Sequence, residues 1–159
     1  MDFLAAMHPK VVHFPIVLFI LYGVAEIIAV FTKKEFFEKA AFLLLGLGIL
    51  GAIAAVLTGN QAHDVAMQAA KAGAAIPREL LEDHEDLANY TLWFFVFTGV
   101  FRTYLVLKKK FVGNIRYIFV LLALIGFFLV YETGEHGGKL VYEHGVGTEM
   151  LKSNVTNYK

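Results

Sequence analysis

The sequence predicts an all-α integral membrane protein, a four-helix up-down bundle, on three observations. Hydrophobic residues fill 58% of its 159 positions, against about 45–50% in soluble domains. They gather into four blocks nearly free of charge, at about 11–31, 40–59, 89–107 and 115–131. Each block reaches or approaches the ~20 residues that a helix needs to cross ~30 Å of hydrocarbon. Soluble helices of this length carry a polar face, and these have almost none. A single membrane domain over residues 1–159 is the expected organisation.

The elements follow in order. The first span, Val11–Phe31, holds one charged residue, Glu26. His8-Pro9 reads as its helix start, because proline is favoured in a first turn. Pro15 then lies near that start, where its missing N–H costs least, and His13 falls about a turn inside. The second span, Ala40–Gly59, is uncharged. Helix formers continue over Gln61–Ala72, so this helix is expected to project beyond the membrane and end at Gly73. Pro77 can start the returning helix, with Arg78–Ala88 leading into Asn89–Leu107, whose only charge is Arg102. The fourth span, Ile115–Tyr131, holds Arg116. The glycine-rich stretch 132–149 is expected to form a folded cap over the bundle end, and Met150–Lys159 a frayed terminus. No long internal repeat is evident.

The loops give an orientation. Lys33, Lys34 and Lys39 lie between the first two spans, and Lys108, Lys109 and Lys110 between the last two. The other side carries Asp64, Glu79, Glu82, Asp83, Glu85, Asp86, Glu132, Glu135, Glu143 and Glu149. Short basic loops stay in the cytoplasm. Both termini and the 60–88 connection are therefore expected outside the cytoplasmic membrane of a bacterium or archaeon. Asp2 and the lack of a basic leader argue against a cleaved signal peptide, so the first span is expected to direct insertion. The absence of cysteine excludes thiolate zinc sites, iron–sulfur clusters and covalent CxxCH haem. Fourteen basic residues balance fourteen acidic ones, which leaves no electrostatic case for nucleic acid.

All six histidines fall at that acidic end. His8 and His13 open the first span, His63 follows the second, His84 precedes the third, and His136 and His144 follow the fourth. Imidazole is costly in hydrocarbon and is the commonest protein ligand for transition metals. This belt points to non-covalent haem b held by axial histidines, at least one haem with room for a second. Helices 1 and 3 of an up-down bundle are diagonal, as are 2 and 4. The expected ligand pairs are therefore His13 with His84, and His63 with His144 or His136. His8 reads equally as a cap of the first helix. Phe14, Tyr90, Trp93, Phe94, Tyr131 and Tyr142 could pack around a porphyrin or form an interfacial belt. Two axial histidines leave no open metal position, so electron transfer is expected rather than catalysis. Its partners would be a quinol, a periplasmic c-type cytochrome or a respiratory complex subunit, and a homo-oligomer is compatible with the sequence. Two other readings stay open. One is a zinc or copper site of histidines with Asp64, Glu82 or Glu85, although no HExxH-type spacing is present. The other is a cofactor-free scaffold subunit of a respiratory complex.

Gly46, Gly48 and Gly51 spell GxGxxG, but they lie inside an apolar helix with no preceding strand, so a dinucleotide site is not expected. Gly48, Ala52, Ala55 and Gly59 instead form one smooth face for close helix packing. Glu26 and Arg102 lie ~22 and ~18 Å from the histidine end by helical rise. A lone charge at such depth costs about 2.5–3.5 kcal/mol or more, so an ion pair between them is expected.

Several segments resemble a known family. They are Met7-His-Pro-Lys-Val-Val-His-Phe-Pro15, Thr58-Gly59, His84, and Gly137-Gly-Lys-Leu-Val-Tyr-Glu-His-Gly-Val-Gly147. Their HPxxxHFP and GGxLVYxHG elements are similar to the signatures of a prokaryotic membrane family of unknown function with about four transmembrane helices. The likeness covers nearly the whole chain. Some of its relatives are joined to, or encoded near, cytochrome-type modules, which implies redox work. It gives weight to His13, His84 and His144, and less to His136, which falls at a position expected to vary.

Overall fold

The computed structural model describes residues 3–148. Expectations about Asp2, Glu149 and residues 150–159 lie outside them. The described chain is helical throughout: α1 (Phe3–Val11), α2 (His13–Thr32), α3 (Glu35–Lys71), α4 (Arg78–Leu107) and α5 (Ile115–Tyr142). Together α1 and α2 make one unit, and this unit with α3, α4 and α5 supplies four helices long and apolar enough to cross a membrane. The protein is a multi-pass four-helix membrane bundle.

Proline sets the break between α1 and α2. Pro15 has no N–H for the Val11 carbonyl, and its ring crowds that oxygen. The helix breaks at Val12 and resumes at His13. His8-Pro9 is therefore not a helix start, since α1 begins at Phe3 with Pro9 inside it. The chain leaves α2 through Lys33, whose φ of 53° closes the turn. At ~1.5 Å per residue, the 37 residues of α3 far exceed the hydrocarbon thickness, so its last turns project from the bundle. It ends at Lys71, followed by Gly73 at φ +100°, and Pro77 precedes α4.

Of the cap expected over 132–149, residues 132–142 are instead helix, and 143–148 form the turn that follows it. α5 runs unbroken through the glycine-rich stretch to Tyr142. The glycines serve close approach rather than turning: a Cβ on Gly137 would lie 2.9 Å from the His84 ring. The helix closes in an αL motif with Gly145 at φ +66°. Gly145 N–H donates to the Val141 carbonyl and Val146 N–H to the Leu140 carbonyl, and Val146 packs on the cluster containing Leu140.

Neighbouring pairs are α2·α3, α3·α4, α4·α5 and α2·α5, with α1 lying on α3. The main core joins Phe19, Tyr22, Ala25, Leu45, Ala52 and Phe95. A smaller core of Ala66, Ile76, Leu81 and Leu140 binds the projecting ends. Large apolar side chains such as Phe97, Val100, Leu121 and Phe128 cover the outside, as lipid contact requires.

The two hairpins, α1–α3 and α4–α5, repeat one another, although no repeat was evident in the sequence. His8 meets His84, Phe19 stacks on Phe95, and Glu26 pairs with Arg102. Each pair is 76 positions apart (84 less 8, 95 less 19, 102 less 26). The partner helices repeat with an offset of 78. Gly48 packs on Phe19 as Gly126 packs on Phe95, and Gly59 packs on His8 as Gly137 packs on His84. An approximate two-fold axis therefore runs along the bundle, and equivalent residues of the two halves meet across it.

Candidate functional site

At the histidine end, α1 and α4 present His8 and His84 to each other. Their ring centroids are 6.5 Å apart with planes at 71°. His8 Nδ1 lies 3.1 Å from the Ala55 carbonyl oxygen and 3.2 Å from Thr58 Oγ1. His84 Nδ1 lies 3.1 Å from the Thr133 carbonyl oxygen. A carbonyl can only accept, so each Nδ1 carries the hydrogen and donates, leaving Nε2 as a free lone pair. Ala55 and Thr133 are themselves equivalent under the 78-residue offset.

Glycine makes both contacts fit. A Cβ at Gly59 would lie 3.0 Å from His8 Cε1, just as one at Gly137 would crowd His84 Cε1. Thr58 holds its helix face by donating back to the Ala54 and Ala55 carbonyls at 3.0 Å. Across the bundle, Thr91 and Thr133 hydroxyls pair at 2.9 Å, which steadies the turn that receives His84.

Both histidines precede the apolar spans at 11–31 and 89–107, at the bundle's projecting end. Burial pushes the His84 pKa down to about 4, the neighbouring His8 adds to this, and the bond to Thr133 opposes it. Burial also lowers His8, against the bond to Ala55. Both imidazoles are therefore neutral near pH 7 and able to ligate.

The other histidines fall differently. His63 and His136 lie close enough to act electrostatically on His84. His63 Nε2 is 3.4 Å from a Glu85 carboxylate oxygen, and His136 Nδ1 donates to the Glu132 carbonyl at 2.9 Å. His144 is half-buried in the turn after α5, a turn that meets α1 where Gly147 approaches Pro9. His13, expected opposite His84, is exposed. Five residues past His8 turn the helix by about 140°, so it is His8 that faces His84. The recurrence of histidine at 8 and 84 and of glycine at 59 and 137, 76 and 78 positions apart, was the available sequence signal for this pairing.

A second polar cluster lies deeper. Glu26 and Arg102, each 1% exposed, form an ion pair between α2 and α4. Arg102 also donates to the Glu38 carbonyl at 3.0 Å and lies over the Phe111 ring at 4.5 Å. Arg116 pairs with the Glu38 carboxylate at 2.7 Å. Glu38 and Arg116 again obey the offset of 78.

Among the described residues, no three His, Asp or Glu side chains converge as a metal site. The arrangement instead offers two imidazoles. The two rings stand 6.5 Å apart, each anchored at Nδ1 and flanked by a glycine.

Fold and site together define a polytopic helical membrane protein with paired imidazoles at one end of its bundle. The family model described as "Predicted membrane protein (DUF2231)" matches residues 5–150, and the chain belongs to that family. No curated protein and no solved structure matches it.

Proposed function

We propose that this protein is a membrane b-type cytochrome that transfers electrons and holds non-covalent haem through His8 and His84. One observation carries the reading: two neutral imidazoles face each other with each Nδ1 tied to a backbone carbonyl. Histidine ligands are commonly oriented by such a bond, which fixes the tautomer and raises the basicity of the ligating nitrogen. Haem needs only two protein ligands, because the macrocycle supplies the other four. A zinc centre needs at least three, and no such group gathers among the described residues.

When bound, the haem supplies a reversible one-electron change between ferric and ferrous iron. The chain's own residues do the rest. Ala55, Thr58 and Thr133 aim the imidazoles, Gly59 and Gly137 leave space beside them, and the smaller core of Ala66, Ile76, Leu81 and Leu140 keeps water from the bundle end. His63 and His136 act electrostatically on His84. The basic loops around Lys33 and Lys108 orient the site to the extracytoplasmic face.

The test is a pyridine haemochrome assay with metal analysis on detergent-purified protein from a haem-competent host. About one haem b per chain is expected. Copper without haem would move the assignment to an imidazole copper site, and neither would leave a scaffold role.

A further inference from the structure

A groove of about 560 Å³ opens between α2 and α5 at the histidine end. Ile16, Ile20, Phe127 and Val130 line its inner part, and Glu135, Lys139 and Glu143 stand at its mouth. Gly134 and Gly138 form its α5 wall. Each is one residue from a contact of His84, since Thr133 accepts its hydrogen bond and Gly137 packs on its ring. The groove and the imidazole pair therefore lie on two sides of one helix.

The repeat shows that the glycines are particular to this half. Under the offset of 78, Gly134 and Gly138 correspond to Val56 and Asn60 on α3. Side chains of that size at 134 and 138 would fill the groove. The space around both glycines is open, with no atom within 4 Å of where a Cβ would stand.

We infer that this groove binds a lipid-soluble quinone or hydroquinone. An apolar tail suits Ile16, Ile20, Phe127 and Val130. Glu135 pairs with Lys139 at 3.4 Å, which leaves Glu143 as the excess charge; a net negative mouth disfavours an anionic phospholipid head and suits a neutral one. Tyr131 and Tyr142 border the same space and bring aromatic rings to it. Choosing a redox-active head among neutral amphiphiles rests on the haem reading.

The experiment uses the full chain in phosphatidylcholine vesicles and a photoreactive azidoquinone with a short isoprenoid tail, with haem content measured in the same samples. Labelling should concentrate on residues 127–143, be displaced by excess unlabelled quinone but not by a plain long-chain alcohol, and fall at least tenfold in Gly134→Leu/Gly138→Leu. A Cβ at either position has no atom within 4 Å, and the contacts of His84 are Thr133 and Gly137 rather than these glycines, so haem content should stay unchanged. Label spread over all lipid-facing helices, label retained in the double variant, or equal displacement by the alcohol would overturn the inference. Full haem content without labelling sinks the groove alone. Specific labelling of haem-free protein supports the groove and removes the haem reading.

Discussion

Glu26 and Arg102 meet in the interior eighteen residues beyond His8 and His84 respectively, so the ion pair and the imidazole pair are two levels of one repeated arrangement. The repeat was kept in position but not in charge. Two equal charges on the axis would repel, and opposite charges bind the halves together. Phe19 and Phe95, stacked with centroids 3.5 Å apart, fill the level between.

Removing one member of that ion pair strands the other. Glu26→Gln or Arg102→Leu alone should cost about 3–5 kcal/mol, the usual result of breaking a buried pair. The charge-swapped double variant should recover part of the loss. Thermal unfolding in detergent checks this, and a double variant no more stable than either single one would contradict it.

The glycine contacts separate by site. Gly48→Ala and Gly126→Ala place a Cβ 2.6 and 2.5 Å from the Phe19 and Phe95 rings. Each should destabilise by about 1–3 kcal/mol through overpacking. Gly46, with nothing within 4 Å, is the control: Gly46→Ala should be neutral or stabilising by up to ~1 kcal/mol. The same melting measurements, run side by side, decide between them.

Stability should also fall with acid. In haem-free protein the folded pKa of His84 lies near 4, below its ordinary 6.5, so between those values the unfolded chain binds more protons than the folded one. Stability then rises with pH across this window, and acidification from about 6.5 towards 4 removes it. In His84→Gln the melting temperature should vary less between pH 4 and 7; an unchanged slope would show that other groups set the dependence.

The spans were legible because lipid leaves no latitude: long uncharged runs such as 40–59 have one stable form. The depth of Glu26 and Arg102 followed from helical rise alone. The end of α5 was not legible, because Gly134, Gly137 and Gly138 read as breakers when their role is set by what lies against them, the His84 ring and an open groove. The imidazole pair was half legible. His84 stood out, but which of His8 and His13 faces it depends on the phase of a helix interrupted by Pro9 and Pro15. The repeat was hidden because its identities, His8/His84, Phe19/Phe95, Gly48/Gly126 and Gly59/Gly137 among them, are scattered among unlike residues, and because the offset changes from 76 to 78 between helices.

The most direct test of the account is the ferric absorption spectrum of the haem-loaded protein and three single variants. His8→Ala and His84→Ala should each abolish or shift the low-spin Soret and α/β bands, and exposed His13→Ala should leave them unchanged. A normal spectrum in both His8→Ala and His84→Ala, or its loss in His13→Ala alone, would contradict the assignment of His8 and His84 as the haem ligands.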